Sequence, residues 1–268
     1  MTTPATSNLN NPIGVHALVW VGDTAPASVQ YAIEQTKNVG FDLLELSLHD
    51  AVHLDVMAAH DQLKAAGLQV VCSRGLAFTA DISSDDLTVV AKGEALLLES
   101  LEVTQALGGT YLTGALYSAL GKYSAPLTTA GRRNVVNVLH NLAVEAQTKG
   151  MSLGLEICNR YETNVINTAR DALRLADDIG DRLGYVHIGE NHRGYLGSGH
   201  LDLTGFFHAL ADIHYTGPIT FESFSSAVVS PTLSNDLAIW RNLWDDGGDL
   251  ARHAHAYMEG MIQASQAR

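Results

Sequence analysis

The sequence predicts an α/β protein of the (β/α)8 TIM-barrel type in which only seven βα units are recognisable. Short apolar runs rich in β-branched residues alternate strictly with longer segments of helical periodicity, the pattern of a parallel sheet covered by helices. The chain has 268 residues, a common length for one such barrel. With 46% hydrophobic residues, it has ample material for a large core.

The predicted strands are seven buried runs, at 13–20, 41–48, 68–73, 109–114, 152–157, 183–189 and 218–224. An open doubly wound sheet is the alternative fold. The first strand, however, is not followed by the G-x-G-x-x-G turn with which such sheets bind dinucleotides. The barrel is therefore favoured, and its active-site residues are expected at the carboxyl ends of the strands.

Helices are predicted between the strands from apolar spacing and end signals. The first ends at Gly40, the second near Ala66, and the third begins after the capping Ser and Asp residues of 83–86. The fourth runs from about 130 to 149 and is stopped by Gly150. The fifth is predicted from five apolar residues at helical spacing, which are Ile166, Ala169, Leu173, Ala176 and Ile179.

The last two helical segments flank the seventh strand. A short helix is predicted near 204–213. The tail is predicted to be helical from Ser234, with Leu237, Trp240 and Trp244 on one stripe and a break at 245–249.

One domain is expected over residues 12–268, because no internal linker or low-complexity stretch divides them. The polar residues 1–11 are expected to form a flexible arm, and they lack the apolar region of a signal peptide. No apolar run reaches the roughly 18 residues of a membrane span. A cytoplasmic protein without a membrane partner is expected.

The charge balance limits the partners further. A net charge of −13 argues against nucleic acid, because phosphate binding needs clustered Lys and Arg. Cys72 and Cys158 are too few for a disulfide framework or a thiolate zinc site. Only 17% of the residues are charged, below the usual ~25%, which suggests a buried subunit interface.

Three residues at strand ends carry the strongest chemical signal. Glu156 ends the fifth strand in LGLEICNRYE, His187 lies in YVHIGE, and Glu222 ends the last strand in PITFESF. A single carboxylate of this kind could equally cap a helix or pair with a lysine. Three groups in equivalent positions converge on one barrel mouth, and they suit a divalent ion such as Mn²⁺, Mg²⁺ or Co²⁺.

Other polar residues are weighed beside this set. Arg193, in the glycine-rich loop ENHRGYLGSGHLD, could hold substrate hydroxyls with its donor fork, or be a solvated arginine in a flexible turn. His49 and His53 have the spacing of a metal pair on a helix, but without a third ligand nearby an exposed helix start is preferred. His253 and His255 point different ways on a predicted helix and are not expected to be ligands.

Longer stretches of the chain resemble the D-tagatose 3-epimerase and D-allulose (psicose) 3-epimerase family of xylose-isomerase-like sugar isomerases and epimerases. They are IGVHALVW, GGTYLTGALYSALGKY, GLEICNRYETNVINTA, GYVHIGENHRGYLGSG and GPITFESFSS. The pairing of E-x-x-N-R-Y-E with H-x-x-E-x-x-R-G is highly specific. The resemblance implies a metal-dependent TIM barrel that inverts C3 of free ketoses, of the D-tagatose/D-sorbose or D-fructose/D-allulose type, as a homodimer or homotetramer.

The resemblance also implies roles for five residues. Glu156 and Glu222 resemble the two catalytic glutamates, which also bind the metal, and His187 resembles the histidine ligand. Glu162 and Arg193 resemble contacts to substrate hydroxyls. With Mn²⁺, or Co²⁺ or Mg²⁺, chelating O2 and O3, one glutamate removes the C3 proton to form a cis-enediolate. The other glutamate returns a proton to the opposite face.

The chain departs from the family pattern between Ile179 and His187. There the family has a strand resembling H-L-D-T-x-H-M-N and a further helix, and neither is found in this sequence. Glu156 and His187 are only 31 residues apart, which leaves room for one βα step where the family has two. The sixth unit is therefore predicted to be missing at Gly180–Asp181, together with the family's aspartate ligand and a substrate-binding histidine.

This deletion leaves alternatives open for the fold and the function. The flanking strands could pair directly, the barrel could open, or a partner chain could fill the gap. Asp177, Asp178 and Asp181 lie at the wrong end of the connection to replace the lost ligand. An aldose–ketose isomerase of the same superfamily and a non-catalytic barrel are the alternatives to the epimerase, and a nuclease is disfavoured by the negative charge.

Overall fold

The computed structural model describes residues 11–49, 53–179 and 185–266. Residues 1–10 of the predicted arm and the predicted Gly180–Asp181 junction lie outside these ranges. Asn11 is buried, and its side-chain amide donates to the backbone carbonyls of Tyr215 and Gly217, at 3.0 and 2.7 Å.

The seven predicted strands are all present, although each is shorter than the run that predicted it. They are β1 (Ile13–His16), β2 (Leu43–Ser47), β3 (Gln69–Ser73), β4 (Tyr111–Thr113), β5 (Ser152–Leu153), β6 (Val186–Ile188) and β7 (Ile219–Phe221). All pairs are parallel, and the order across the sheet is β5-β4-β3-β2-β1-β7-β6. The prediction of a TIM-barrel type with seven recognisable units is confirmed.

The sheet is a curled, open half-barrel whose edges are β5 and β6 in the described part of the chain. Of the three predicted alternatives, it is the open barrel that these residues show. The two edges nevertheless approach each other. A Cβ atom added to Gly154, just after β5, would lie 3.3 Å from the Cβ of Tyr185, just before β6.

Helices follow the strands at the predicted places. They are α1 (Pro26–Val39), α2 (Val56–Ala66), α3 (Leu87–Ala106), α4 (Thr129–Thr148), α5 (Ala169–Ile179), α6 (Leu203–Asp212), α7 (Pro231–Asp236) and α8 (Gly247–Gln266). Asp86 caps α3 by accepting the N–H of Thr88, and Gly40 ends α1 in the left-handed conformation, with φ 101°.

Two helical predictions are wrong in part. Residues 237–244 are not helical, because Ala238 takes a left-handed φ of 52° just after α7, and Trp240 is 70% exposed. Helix α8 begins at Gly247, inside the predicted break. In α5, Leu173 is 64% exposed instead of lying on the apolar stripe, and Leu175 is buried in its place.

The core lies mainly between the sheet and its helices, in one cluster along β2 to β5 and a second around β1, β6 and β7. A small cluster of Leu43, Val71 and Tyr185, with Tyr111 packed against it, joins residues of β2, β3 and β4 to the start of β6. Within the described residues, no helix is both long and apolar enough to span a membrane.

Candidate active site

The three residues predicted as metal ligands lie together at the carboxyl ends of three strands. Glu156 follows β5, His187 lies in β6, and Glu222 directly follows β7. One ligand atom from each lies within 4.8 Å of the others. His187 Nδ1 is 3.9 Å from Glu156 Oε1 and 3.8 Å from Glu222 Oε2. One divalent ion placed between these atoms could contact all three side chains after small adjustments, because metal–ligand bonds measure about 2.0–2.6 Å.

Glu45 of β2, which sequence reasoning missed, binds the other end of the His187 ring. Its side chain is fully buried, and Oε2 lies 2.6 Å from His187 Nε2 and 2.7 Å from the Tyr185 hydroxyl. That hydroxyl lies 2.5 Å from Thr220 Oγ1. A glutamate inside the apolar run LLELS was the available signal, because a buried carboxylate requires partners.

His16, at the end of β1, extends this network. Its Nδ1 accepts the backbone N–H of Leu18 at 3.1 Å, so the ring proton is assigned to Nε2. Nε2 lies 3.2 Å from Ser73 Oγ and 3.4 Å from Glu45 Oε1. Oε1 of Glu45 is otherwise a buried oxygen without a hydrogen-bond partner among the described residues.

Burial and charge act in opposite directions on this cluster. Burial alone would raise the pKa of Glu45, but His187 and His16 lower it to about 2. Burial would lower the pKa of His187, yet the carboxylates of Glu45 and Glu222 raise it well above its usual value. Burial raises the pKa of Glu222 to about 8, and the charges of Glu156 and Glu45 add to the effect.

The predicted substrate contacts Glu162 and Arg193 form an ion pair at the rim. Arg193 Nη2 donates to Glu162 Oε1 at 2.7 Å, and the guanidinium lies 4.6 Å above the Phe224 ring. The Arg193 backbone has a φ of 61°, which residues other than glycine seldom adopt. This conformation is held by hydrogen bonds from its N–H to the Glu190 carbonyl and from Ser223 Oγ to its own carbonyl.

Glu190 orders the loop that carries Arg193. It is buried, and its carboxylate accepts the backbone N–H groups of Asn191 and Gly197, at 3.0 and 3.1 Å. A Cβ atom on Gly199 would lie 2.3 Å from Glu190 Oε1, so the backbone can wrap around this carboxylate only with glycine there. The glutamate of H-x-x-E-x-x-R-G thus shapes the loop.

A cleft opens above Glu156 and Glu222. Its polar side chains are His16, Ser47, His49, Ser73, Arg74, Glu156, Glu162, Arg193 and Glu222, and Leu18, Leu120, Phe224, Leu233 and Leu237 are among its apolar ones. The mixture of convergent polar groups and apolar walls is typical of a site for a polar organic substrate.

Among the described residues, the other histidines considered from sequence do not belong to the group formed by Glu156, His187 and Glu222. His49 is half-buried at the edge of the cleft, with Nδ1 3.1 Å from the Gly75 carbonyl oxygen, so it is not the exposed residue that was predicted. His53 is exposed and precedes α2, which begins at Val56. Residues 50–52 lie outside the described residues. His253 and His255 are in α8 and contact the backbone carbonyls of Leu196 and Gly40, respectively.

The acidic residues near the predicted deletion are also accounted for. Asp178, in α5, pairs with Arg132 of α4 at 2.5 Å, with both side chains about half exposed. Asp177 lies beside it in the same helix, and Asp181 is outside the described residues.

Comparison with known proteins places these observations in a family. Residues 33–187 match the sequence profile described as Xylose isomerase-like TIM barrel. An L-ribulose 3-epimerase from Methylomonas sp. (strain DH-1) is 43% identical, over 92% of this chain and 96% of that protein. A ketose 3-epimerase from Arthrobacter globiformis is 41% identical, over 94% of this chain and 97% of that protein.

A solved structure shows the same fold. The crystal structure of D-allulose 3-epimerase from Methylomonas sp. in complex with D-allulose superposes with a TM-score of 0.91 and 42% identity, covering 94% of this chain and 97% of that chain. The sequence alignment with the Methylomonas L-ribulose 3-epimerase has 274 positions, which is more than the 268 residues of this chain. The alignment nevertheless includes only 92% of this chain, so some of its positions are gaps here. That relative therefore carries residues without a counterpart here, as a missing unit requires.

Proposed function

The chain belongs to the xylose isomerase-like TIM barrel family and, within it, to the ketose 3-epimerases, and on this premise we propose that it inverts C3 of free ketoses with a divalent metal ion and two glutamates. The observation that supports the mechanism is the convergence of Glu156, His187 and Glu222 within 4.8 Å, with both glutamates lining a cleft. The chain is an isomerase.

The residues present fit a divalent cation. Two carboxylates and one imidazole form a donor set for Mn²⁺, which we propose as the ion, with Co²⁺ and Mg²⁺ as alternatives. Glu156, His187 and Glu222 would hold it. When bound, such an ion polarises neighbouring oxygens of the ketose and makes the C3 proton more acidic.

The two glutamates provide the proton transfer. Glu156 and Glu222 follow different strands, β5 and β7, so they can address C3 from two sides. Although burial opposes its ionisation, His187 lowers the pKa of Glu156, while burial raises that of Glu222 to about 8. One of the two carboxyl groups would take the C3 proton from one face, and the other would return a proton to the opposite face.

Glu162 and Arg193 are proposed to bind the ketose hydroxyls. A carboxylate accepts hydrogen bonds from hydroxyl groups and a guanidinium donates to their oxygens, so the pair recognises a diol edge. Holding the sugar in one orientation is itself a large part of the rate enhancement.

The wider setting is proposed on the same basis. We propose residues 12–268 as one domain, to which the buried Asn11 of the preceding segment is attached by hydrogen bonds. We propose that it forms a cytoplasmic homodimer or homotetramer whose partner molecule is a free ketose. The low charged fraction of 17% and the 70% exposure of Trp240 support an interface between copies of the chain.

The decisive experiment is deuterium incorporation at C3 of D-tagatose and D-fructose in D₂O with added Mn²⁺, with circular dichroism on the same sample. Deuterium at C3 is expected. Exchange at the carbons of a 1,2-shift, with an aldose as product, would support the aldose–ketose isomerase. Folded protein without exchange would support the non-catalytic barrel.

A further inference from the structure

The imidazole of His187 is engaged at both ends. Nε2 lies 2.6 Å from Glu45 Oε2, while Nδ1 faces Glu156 and Glu222 at 3.9 and 3.8 Å. The two ring nitrogens of an imidazole point in different directions. A hydrogen bond to one nitrogen therefore sets the orientation of the ring and the direction in which the other nitrogen points.

Glu45 contacts Nε2 of the His187 ring, the nitrogen on the other side of the ring from Nδ1, which faces Glu156 and Glu222. Among the described residues, two sets of three side chains have ligand atoms within 4.8 Å of one another. One set is Glu156, His187 and Glu222, and the other is His16, Glu45 and Glu222. Glu45 therefore does not belong to the donor set that includes Glu156, and its contact with His187 runs through Nε2.

The strand that carries His187 needs such support. In the described residues β6 is a sheet edge that pairs with β7, whereas Glu45 comes from β2, on the far side of β1 and β7. Tyr185, two residues before His187, donates to the same Glu45 oxygen at 2.7 Å. Two side chains from the β6 segment are thus tied to one carboxylate across the interior of the half-barrel.

We propose that Glu45 is a positioning residue that holds the proton of the His187 imidazole on Nε2 and thereby presents Nδ1 to the metal ion. A ligating histidine that donates its other N–H to a carboxylate is held in one tautomer and one ring orientation. In this chain the carboxylate acts across the barrel, where the missing unit leaves His187 on an edge strand. The inference rests on the proposed metal-dependent function.

The test uses Glu45→Gln and Glu45→Asp in the full chain. Glu45→Gln keeps the volume but removes the charge, and Glu45→Asp keeps the charge but shortens the reach toward Nε2. Both variants are expected to raise the dissociation constant for Mn²⁺ about 10–100-fold, measured by calorimetry. The visible absorption of the Co²⁺-loaded protein, which reports ligand geometry, is expected to change with it.

Asp81→Asn is the matched control. Asp81 is also a buried carboxylate, and it accepts a hydrogen bond from the Tyr123 hydroxyl at 2.5 Å, but it lies outside both ligand groups. Its variant is expected to lose stability and to keep the wild-type Mn²⁺ dissociation constant. Equal weakening of Mn²⁺ binding in Asp81→Asn would show that general destabilisation is the cause, and would overturn the proposal.

Two further results separate this inference from the proposed function. Wild-type protein that binds Mn²⁺ and exchanges C3 deuterium, with both Glu45 variants binding Mn²⁺ equally well, would overturn the role of Glu45 alone. Wild-type protein that neither binds Mn²⁺ nor exchanges deuterium would overturn the proposed function and this inference with it. If Glu45→Gln does not fold, Glu45→Asp decides.

Discussion

Arg193 Nη2 and Glu162 Oε1 lie 2.7 Å apart and join the segments that follow the two edge strands of the half-barrel. Glu162 comes after β5 and Arg193 after β6. The Glu162 side chain is 9% exposed and that of Arg193 32%, so the pair is more protected than a typical surface ion pair. Because it spans the two edges, this contact helps to hold the rim of the cleft in place.

Glu162→Gln is expected to raise the KM for the ketose about 10-fold or more and to change kcat less. The variant loses a charged hydrogen-bond acceptor, a loss of roughly 1.5–3 kcal/mol in binding if the proposed hydroxyl contact exists. Steady-state kinetics with D-tagatose is the measurement. Glu102→Gln, which breaks a 2.8 Å ion pair with Lys149 elsewhere, is the control. Equal KM values in the two variants would contradict a substrate contact at Glu162.

Glu222→Gln is expected to abolish C3 exchange while leaving the fold intact. The amide has nearly the same shape but cannot shuttle a proton, and loss of a general acid or base lowers the rate about 10²–10⁴-fold. Deuterium incorporation at C3, with circular dichroism for the fold, is the readout. Unchanged exchange in this variant would rule out the two-glutamate mechanism.

The stability of the metal-free protein is expected to fall as the pH rises from about 6.5 to 8, above the range in which the lowered pKa of buried His16 acts in the opposite direction. The pKa of Glu222 is raised to about 8 by burial, so over this range the native state binds more protons than the unfolded state. His187, with its raised pKa, acts in the same direction above its usual value of about 6.5. Urea denaturation in chelator across this range measures the slope.

Mn²⁺ and Glu222→Gln provide the checks on that slope. Added Mn²⁺ is expected to remove most of it, because the ion displaces the same protons. Glu222→Gln is expected to remove the part of the pH dependence of stability that arises from the Glu222 carboxyl group. A rising stability over this pH range in the metal-free wild type would contradict the electrostatic description of the site.

Insertion of a βα unit with a D-T-x-H strand between residues 179 and 185 is expected to raise the affinity for Mn²⁺. The unit would add an aspartate to a donor set of Glu156, His187 and Glu222. Calorimetric titration of the parent and the extended chain makes the comparison, with an Asp→Ala version of the inserted unit as the control. No gain in affinity would mean that the site is already completed in another way.

Gly154→Ala is expected to destabilise the fold by about 1–3 kcal/mol. The new Cβ would lie 2.5 Å from Thr113 Oγ1 and 3.3 Å from the Cβ of Tyr185, so the neighbouring side chains would have to shift. Gly260→Ala, in α8 with open space around it, is expected to be neutral or to stabilise by up to about 1 kcal/mol. Thermal unfolding of both variants gives the comparison, and equal melting temperatures would contradict the close approach at Gly154.

The strands of a parallel barrel follow from local patterns, which is why the seven units could be predicted from the sequence. Apolar runs mark the strands, and parallel strands bring their carboxyl ends to one side. The sequence therefore predicts that Glu156, His187 and Glu222 lie on a common rim. The caps at Gly40 and Asp86 are likewise local, since each depends on a few neighbouring residues.

The features that sequence missed depend on distant contacts. Glu45 looks like an interruption of an apolar strand, and its partner His187 is 142 residues away. The end of α7 depends on the left-handed backbone of Ala238, which no apolar stripe reveals. The apolar face of α5 includes Leu175 and not the predicted Leu173, because helical spacing alone does not identify the neighbours against which a helix packs.

The strand order also explains how the site can keep its arrangement around a missing piece. Strand β1 pairs with β7 on one side, which leads to β6, and with β2 on the other, from which the sheet continues to β5, so the position of each edge strand is set through β1. In the described residues the sheet is an open half-barrel and not a closed ring. Residues can be removed between the edge strands β5 and β6 without shifting the strand register on either side of β1. Glu156, which follows β5, and His187, in β6, therefore still face each other across the gap.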